Sequence, residues 1–230
     1  MAAQGADIID IGGESTRPGA ESIDAAEEMK RVLPVIGRLS GLFTCPISVD
    51  TWKSSVACEA VKAGAEIIND ISGFTFDPAM AETASNTGVG VVLMHTRGAP
   101  ADMQSETCYD DLIGEIILGL QRSADVAVQS GIDRERIAID PGFGFGKDAK
   151  GNLEILRRLS ELAGLGFPVV AGTSRKSFIG KILEKDAGGR LFGTAATAAL
   201  AVANGASILR VHDVAEMRDV ADMAQAVVSG

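Results

Sequence analysis

Asp50, Asn69 and Asp140 each follow a short, β-branched run, and together they offer two carboxylates and an amide to one ligand. A flat, donor-rich partner suits that set. A carboxylate facing an amino-pyrimidine edge makes the same paired, parallel hydrogen bonds that it makes with guanidinium. Taken singly, each residue is also explained by strand termination, because Asp and Asn favour turns and cap the helix that follows. A second group is cationic. Ser174-Arg175-Lys176-Ser177 follows Gly172, and Ser174 in the role of an N-cap leaves backbone N–H groups at a helix start to bind an anion. Lys176 has a competing reading as a Schiff-base lysine, but that chemistry wants an amine desolvated within a barrel. Its place beside Arg175 fits ion pairing better. Arg210 and His212 flank Val211, so alternation points both the same way, as a phosphate or diphosphate group requires.

Weaker signals surround these. Thr16 and Arg17, before Pro18 and Gly19, read either as a ligand loop or as a solvated turn. Met94, ahead of His95, reads as core, with a thioether contact to an aromatic ligand as the alternative. The glycine run 142–147 is not a nucleotide phosphate loop, because Pro141 and Asp148 stand where that motif needs Gly and Ser or Thr. Its glycines instead bend a loop that presents Phe145 and leaves room for a flat ligand.

All these residues lie at the ends of seven repeats of one design, a short apolar run breaking into polar residues before a helix-like stretch. The runs are 8–12, 46–49, 66–68, 91–94, 137–139, 168–171 and 208–209. A parallel α/β barrel gathers its chemistry at the carboxyl ends of its strands, so the repeat predicts both a fold and a site. The expected fold is a TIM-type (β/α)8 barrel occupying residues 1–230 as a single domain. Eight units close such a barrel and seven are visible, so its first strand and most of its first helix are expected to be missing ahead of Met1. Helices are predicted at 21–39, 53–63, 78–86, 108–129, 151–162, 176–184, 190–204 and 214–228, with Ser22 or Asp24 capping the first. The long gap between Thr96 and Arg136 predicts a lid-like loop before its helix.

Composition narrows the function. Apolar residues make up 46% of the chain and aromatics only 4%, which predicts a core of Ile, Val, Leu and Ala around strands buried on both faces. A net charge of −10 argues against nucleic acid, so an anionic ligand must be met by a few local cations. Cys45, Cys58 and Cys108 form no paired metal or disulfide spacing and fit reduced thiols, which with no basic-then-apolar leader predicts a cytoplasmic protein. No apolar stretch is long enough to span a membrane. The small-residue stretch 190–204, with Leu200 in it, and the last helix are the expected homodimer surface.

Six motifs in register give this chain its resemblance. They are Asp-Ile-Gly-Gly-Glu-Ser-Thr-Arg-Pro-Gly, Ser-Val-Asp-Thr, Ile-Asn-Asp-Ile-Ser-Gly, Asp-Pro-Gly-Phe-Gly-Phe-Gly-Lys, Ser-Arg-Lys-Ser and Arg-Val-His-Asp-Val. The pattern resembles the dihydropteroate synthase family, the folate-pathway transferases that sulfonamides inhibit, from about residue 1 to 228. The resemblance implies condensation of a dihydropterin-methyl diphosphate with 4-aminobenzoate. By position, it implies that Asp50, Asn69, Asp140 and Lys176 hold the pterin ring, with Met94 and Arg210 on its faces. It implies that Thr16, Arg210 and His212 meet the diphosphate, and that Arg17, Pro18, Phe145, Ser174 and Lys176 shape the aminobenzoate pocket. The family's Mg²⁺ is implied too, with its asparagine ligand in an amino-terminal loop that this sequence does not contain. Three other readings compete. The chain is a pterin-binding fragment without activity, a corrinoid-type pterin methyltransferase, which gives no reason for the cations at the strand ends, or a Schiff-base aldolase.

Overall fold

The computed structural model describes residues 1–17, 19–100, 102–103, 105 and 107–230. After a 3₁₀ turn at Ala2–Gln4, strands β1 (Ile9–Gly12), β2 (Ile47–Asp50), β3 (Ile67–Asp70), β4 (Gly90–Met94) and β5 (Ile137–Asp140) form one parallel sheet in chain order. A parallel bridge between Ile139 and Val169 carries the wall on to β6 (Val170–Ala171), which pairs in parallel with β7 (Ile208–Leu209). Seven parallel strands thus follow one another around an arc, as the repeat predicts. Among the described residues β7 and β1 are not paired with each other.

Helices α1 (Ala25–Leu39), α2 (Ser54–Ala63), α3 (Met80–Thr87) and α4 (Leu112–Gln129) pack each against the next. The ring continues through α5 (Ala149–Arg157), α6 (Leu159–Ala163), α7 (Ser177–Leu183), α8 (Leu191–Ala203) and α9 (Val214–Ser229). The main core lies between this ring and the strands. Val49, Ile68, Val91, Leu93, Ile137 and Ile139 turn outward into it and are buried. Parallel strands covered by helices bury both faces, and the low aromatic content leaves branched aliphatics to fill the space.

Three predicted helix boundaries move for local reasons. Asp24, not Ser22, caps α1, its carboxylate accepting the Glu27 N–H at 2.7 Å. Asp111 caps α4 by accepting from Gly114, so Cys108 and Tyr109 stay outside the helix. The stretch predicted as one helix over 151–162 breaks at Arg158, whose φ of −108° lies outside helical geometry.

Register places the site. Gly12 faces Asp50, Asp50 faces Asn69, and Met94 faces Asp140 across neighbouring strands. In a parallel ladder such partners point the same way, so the carboxyl ends of four strands aim these side chains at one spot. Asp70, one residue beyond Asn69, points elsewhere. Its carboxylate accepts the N–H groups of Ser72 and Phe74 and the Ser72 hydroxyl, and so shapes the following loop.

Candidate active site

A pocket opens at the strand ends, lined by Thr16, Asp50, Asn69, Met94, Asp140 and Phe145, with Lys176 and Arg210 as its cations. Eight of the residues singled out from sequence therefore converge on one cavity. Ile71, Phe143 and Gly172 complete the lining. Phe145 and Met94 belong to a small apolar cluster with Ile71, Met103 and, at its edge, Trp52, separate from the main core. The cavity thus has an acidic and amide floor, an apolar wall and a cationic rim.

Charge is concentrated here, with Asp50 and Asp140 buried and Arg210 about half exposed. Burial pushes Asp50 up to about 7, with the nearby Asp10 carboxylate adding to the effect and Arg210 opposing it. Asp140 is also raised by burial, although its Oδ1 accepts the Gly142 N–H at 2.7 Å. Burial lowers Lys176 to about 8, against the pull of Asp140, and its ammonium lies 4.4 Å from the centre of the Phe145 ring. Arg210 donates to Asp10 at 2.7 Å and to Asp50 at 2.8 Å. Burial opposes its charge, but those two carboxylates more than compensate and hold it protonated. Each carboxylate keeps one buried oxygen without a partner among the described residues, Asp10 Oδ1 and Asp50 Oδ1. Buried polar atoms are rarely left unpaired, so at Asp50, in the pocket wall, this oxygen is a ready acceptor for a ligand donor.

Ser174 corrects the expectation that it caps a helix. The residue preceding α7 is Lys176, with no side-chain cap. The Ser174 hydroxyl instead lies 2.9 Å from His212 Nδ1 and accepts the His212 N–H at 3.2 Å. Arg175, in a left-handed conformation with φ of 55°, turns away from the pocket and donates to Asp213 at 3.0 Å. Burial, and then the charges of Arg175 and Arg210, hold His212 below its ordinary pKa, with Arg17 contributing as well. Arg17, Ser174 and His212 stand beyond the lining of the cavity, and Pro18 lies outside the described residues. After β4, Arg97 donates to the Cys108 carbonyl and lies 4.4 Å from the Tyr109 ring centre, while residues 101, 104 and 106 of the expected lid lie outside the described residues.

Sequence patterns miss three participants. Asp10 sits within β1 among isoleucines, and an acid inside a parallel strand is costly unless paired, which was its available signal. Glu14, Lys53 and Glu28 form a buried ionic cluster at the base of the loop bearing Thr16. Glu14 also accepts the Ile23 N–H, joining the two ends of that loop. Lys147 is buried behind Asp140, where burial lowers it to about 7. Nothing in the spacing marks these last two groups.

As to a metal, the described residues contain no group of three His, Cys, Asp or Glu arranged to hold one. The nearest carboxylates with spare oxygens, Asp10 and Asp50, are already bound to Arg210. The described residues therefore do not form a Mg²⁺ site.

A parallel barrel whose strand ends present two carboxylates, an amide and two cations to one small cavity has the architecture of an enzyme acting on a small molecule. The comparisons identify the family. The family model described as pterin binding enzyme matches residues 1–212. Dihydropteroate synthase of Synechocystis sp. is 48% identical over 228 residues, covering 99% of this chain and 79% of the relative. The solved dihydropteroate synthase of Clostridium difficile, in the presence of pteroic acid, superposes with a TM-score of 0.93 at 45% identity, covering 98% of this chain and 84% of that one. That of Yersinia pestis with a sulfonamide drug complex gives 0.96 at 42% identity, covering 100% and 83%. This chain belongs to the pterin-binding enzymes, in the dihydropteroate synthase family. It is a transferase of folate biosynthesis, and its fold is the TIM-type barrel of that family.

Proposed function

We propose that this chain joins (7,8-dihydropterin-6-yl)methyl diphosphate to 4-aminobenzoate, giving 7,8-dihydropteroate and diphosphate. The observation that carries this reading is the convergence of Asp50, Asn69, Asp140 and Lys176 on one cavity. Asp140 and Asn69 take the amino-pyrimidine edge of the pterin, Asp50 its remaining ring donors, and Lys176 its acceptors. Met94 and Arg210 pack on the ring faces. Thr16, Arg210 and His212 meet the diphosphate, with the Ser174 hydroxyl setting the His212 ring. Arg17, Pro18, Phe145, Ser174 and Lys176 shape the aminobenzoate pocket.

In this scheme the methylene C–O bond breaks and its electron pair leaves with the diphosphate. Cations aimed at the leaving group lower the barrier because they are already oriented when its charge develops. The arylamine nitrogen bonds to the methylene carbon and gives up a proton to solvent. No strong base is required of the protein. The cationic rim favours this reaction over pterin methyl transfer, which releases no diphosphate.

The proposal extends to the whole chain as one pterin-binding domain of a cytoplasmic homodimer. No helix of the described residues is long and apolar enough to cross a membrane. Phe192 and Leu200 on α8, and Met223 and Val227 on α9, are large apolar side chains left exposed. Large apolar side chains exposed on two packed helices suit a surface covered by a partner.

A direct assay tests the reaction. Incubation with the pterin diphosphate and 4-aminobenzoate, with and without Mg²⁺, should yield dihydropteroate and diphosphate in equal amounts, and a sulfonamide should suppress both. Methyl transfer from a methyl-folate in place of diphosphate release would overturn the proposal.

A further inference from the structure

Lys147 has no part in the scheme above, yet it is one of the most buried charged residues, 3% exposed. Among the described residues its ammonium makes no ion pair. Instead it donates to two backbone carbonyls, that of His95 at 3.1 Å and that of Phe145 at 2.8 Å. These carbonyls belong to different loops. His95 follows Met94 at the end of β4, whereas Phe145 lies in the loop after β5. Two further contacts press the same loops together. The His95 N–H donates to the Asp140 carbonyl at 2.9 Å. Gly142, at φ of 71°, runs so close to the His95 carbonyl that any Cβ there would collide with it.

The carbonyls that Lys147 grips belong to the residue after one wall of the cavity and to the other wall itself. Met94 and Phe145 meet in the small apolar cluster at the mouth, and both line the pocket. Losing that side chain takes the shared donor from both buried carbonyls and loosens the tie between the two loops. Lys147 also acts on the charge of Asp140, but Lys176 and Arg210, which line the cavity, act on it more strongly.

We propose that Lys147 is a positioning residue for the aminobenzoate wing of the pocket, holding Phe145 against Met94 through the carbonyls of His95 and Phe145. It touches no substrate. This rests on the assignment of Phe145 to the aminobenzoate pocket, and the test separates the two claims.

The experiment compares the affinity of the full chain for a simple pterin and for pteroic acid, which adds the aminobenzoate wing. In the unaltered chain pteroic acid should bind more tightly, and equal affinities would reject the Phe145 assignment itself. In Lys147→Met that gain should shrink about tenfold, while pterin affinity changes less than about threefold. Retention of the full gain would overturn the proposal. So would equal weakening of both ligands, which would mean that Lys147 serves Asp140 through its charge or supports the fold as a whole. Lys147→Gln, which keeps a donor on a shorter stem, should fall between. If neither variant folds, hydrogen exchange in the unaltered chain decides. Segments 93–95 and 142–147 should share one level of protection, and open-loop exchange of 142–147 alone would overturn the clip.

Discussion

Arg210 lies 2.8 Å from Asp50 and joins the last strand of the wall to the second, with Asp10 of the first strand held at 2.7 Å by the same guanidinium. One cation therefore spans the side of the barrel where β7 and β1 are unpaired, and it also faces the cavity. Arg210→Gln should do two things at once. It should weaken diphosphate binding, and it should leave the buried Asp50 and the partly buried Asp10 without their cation, at about 1–3 kcal/mol. For a chain of this length that corresponds to a melting temperature lower by roughly 2–12 °C. Calorimetry of the variant checks the second effect, and an unchanged melting temperature would mean that the triad contributes nothing to holding the wall.

The Ser174–His212 contact carries a milder prediction. Ser174→Ala removes the hydroxyl that fixes the imidazole, without touching the pocket floor. A neutral hydrogen bond contributes about 0.5–1.5 kcal/mol, so inhibition by inorganic diphosphate should weaken roughly twofold to tenfold. Pterin affinity should stay constant. Competition titration with diphosphate reads the first and direct titration the second.

Lys176 gives a pH dependence with a definite sign. Burial lowers it from its ordinary 10.5 to about 8. Above about 8 the folded chain has released a proton that the unfolded chain still holds, so folding stability due to this group rises with pH up to about 10.5. Relative to Lys176→Met, the unaltered chain should gain stability across that window and change little below it. Melting curves of both proteins between pH 7 and 10 test this, and a parallel pair of curves would place the lysine in an ordinary solvated setting.

The exposed apolar face of α8 and α9 predicts self-association. Leu200 is 52% exposed, and Leu200→Glu places a charge among the exposed apolar side chains of α8 and α9. Sedimentation should then show more monomer, with no loss of helical signal. An unchanged distribution would rule this surface out.

How much of this was legible in the sequence depends on the range of the interaction. The strands, and the inward aim of Asp50, Asn69 and Asp140, follow from local alternation and from the turn chemistry at strand ends. Their assembly into one cavity follows from the parallel repeat. Ser174 was misread because its partner, His212, lies 38 residues away, and a helix-start serine looks locally like a cap. Lys147 was legible only as the end of a glycine-rich run. Its burial depends on β4 lying beside β5, which no local pattern contains. Asp10 is the intermediate case, a misplaced acid in an apolar strand whose partner alone was hidden.

The central claim is that the floor of this cavity holds a pterin ring, and Asp140 tests it most directly. Its carboxylate stands at the end of β5 beside Met94, buried and bonded to the Gly142 N–H. Asp140→Asn keeps the shape and replaces one acceptor oxygen by a donor, facing ring donors. Hydrogen bonds to a charged group are worth about 1.5–3 kcal/mol, so affinity should fall by at least tenfold. The measurement is calorimetric titration of a simple pterin into the unaltered chain and into Asp140→Asn. Tight binding to the first and a loss of tenfold or more in the second is the predicted result. Equal affinity in the two proteins would contradict the account.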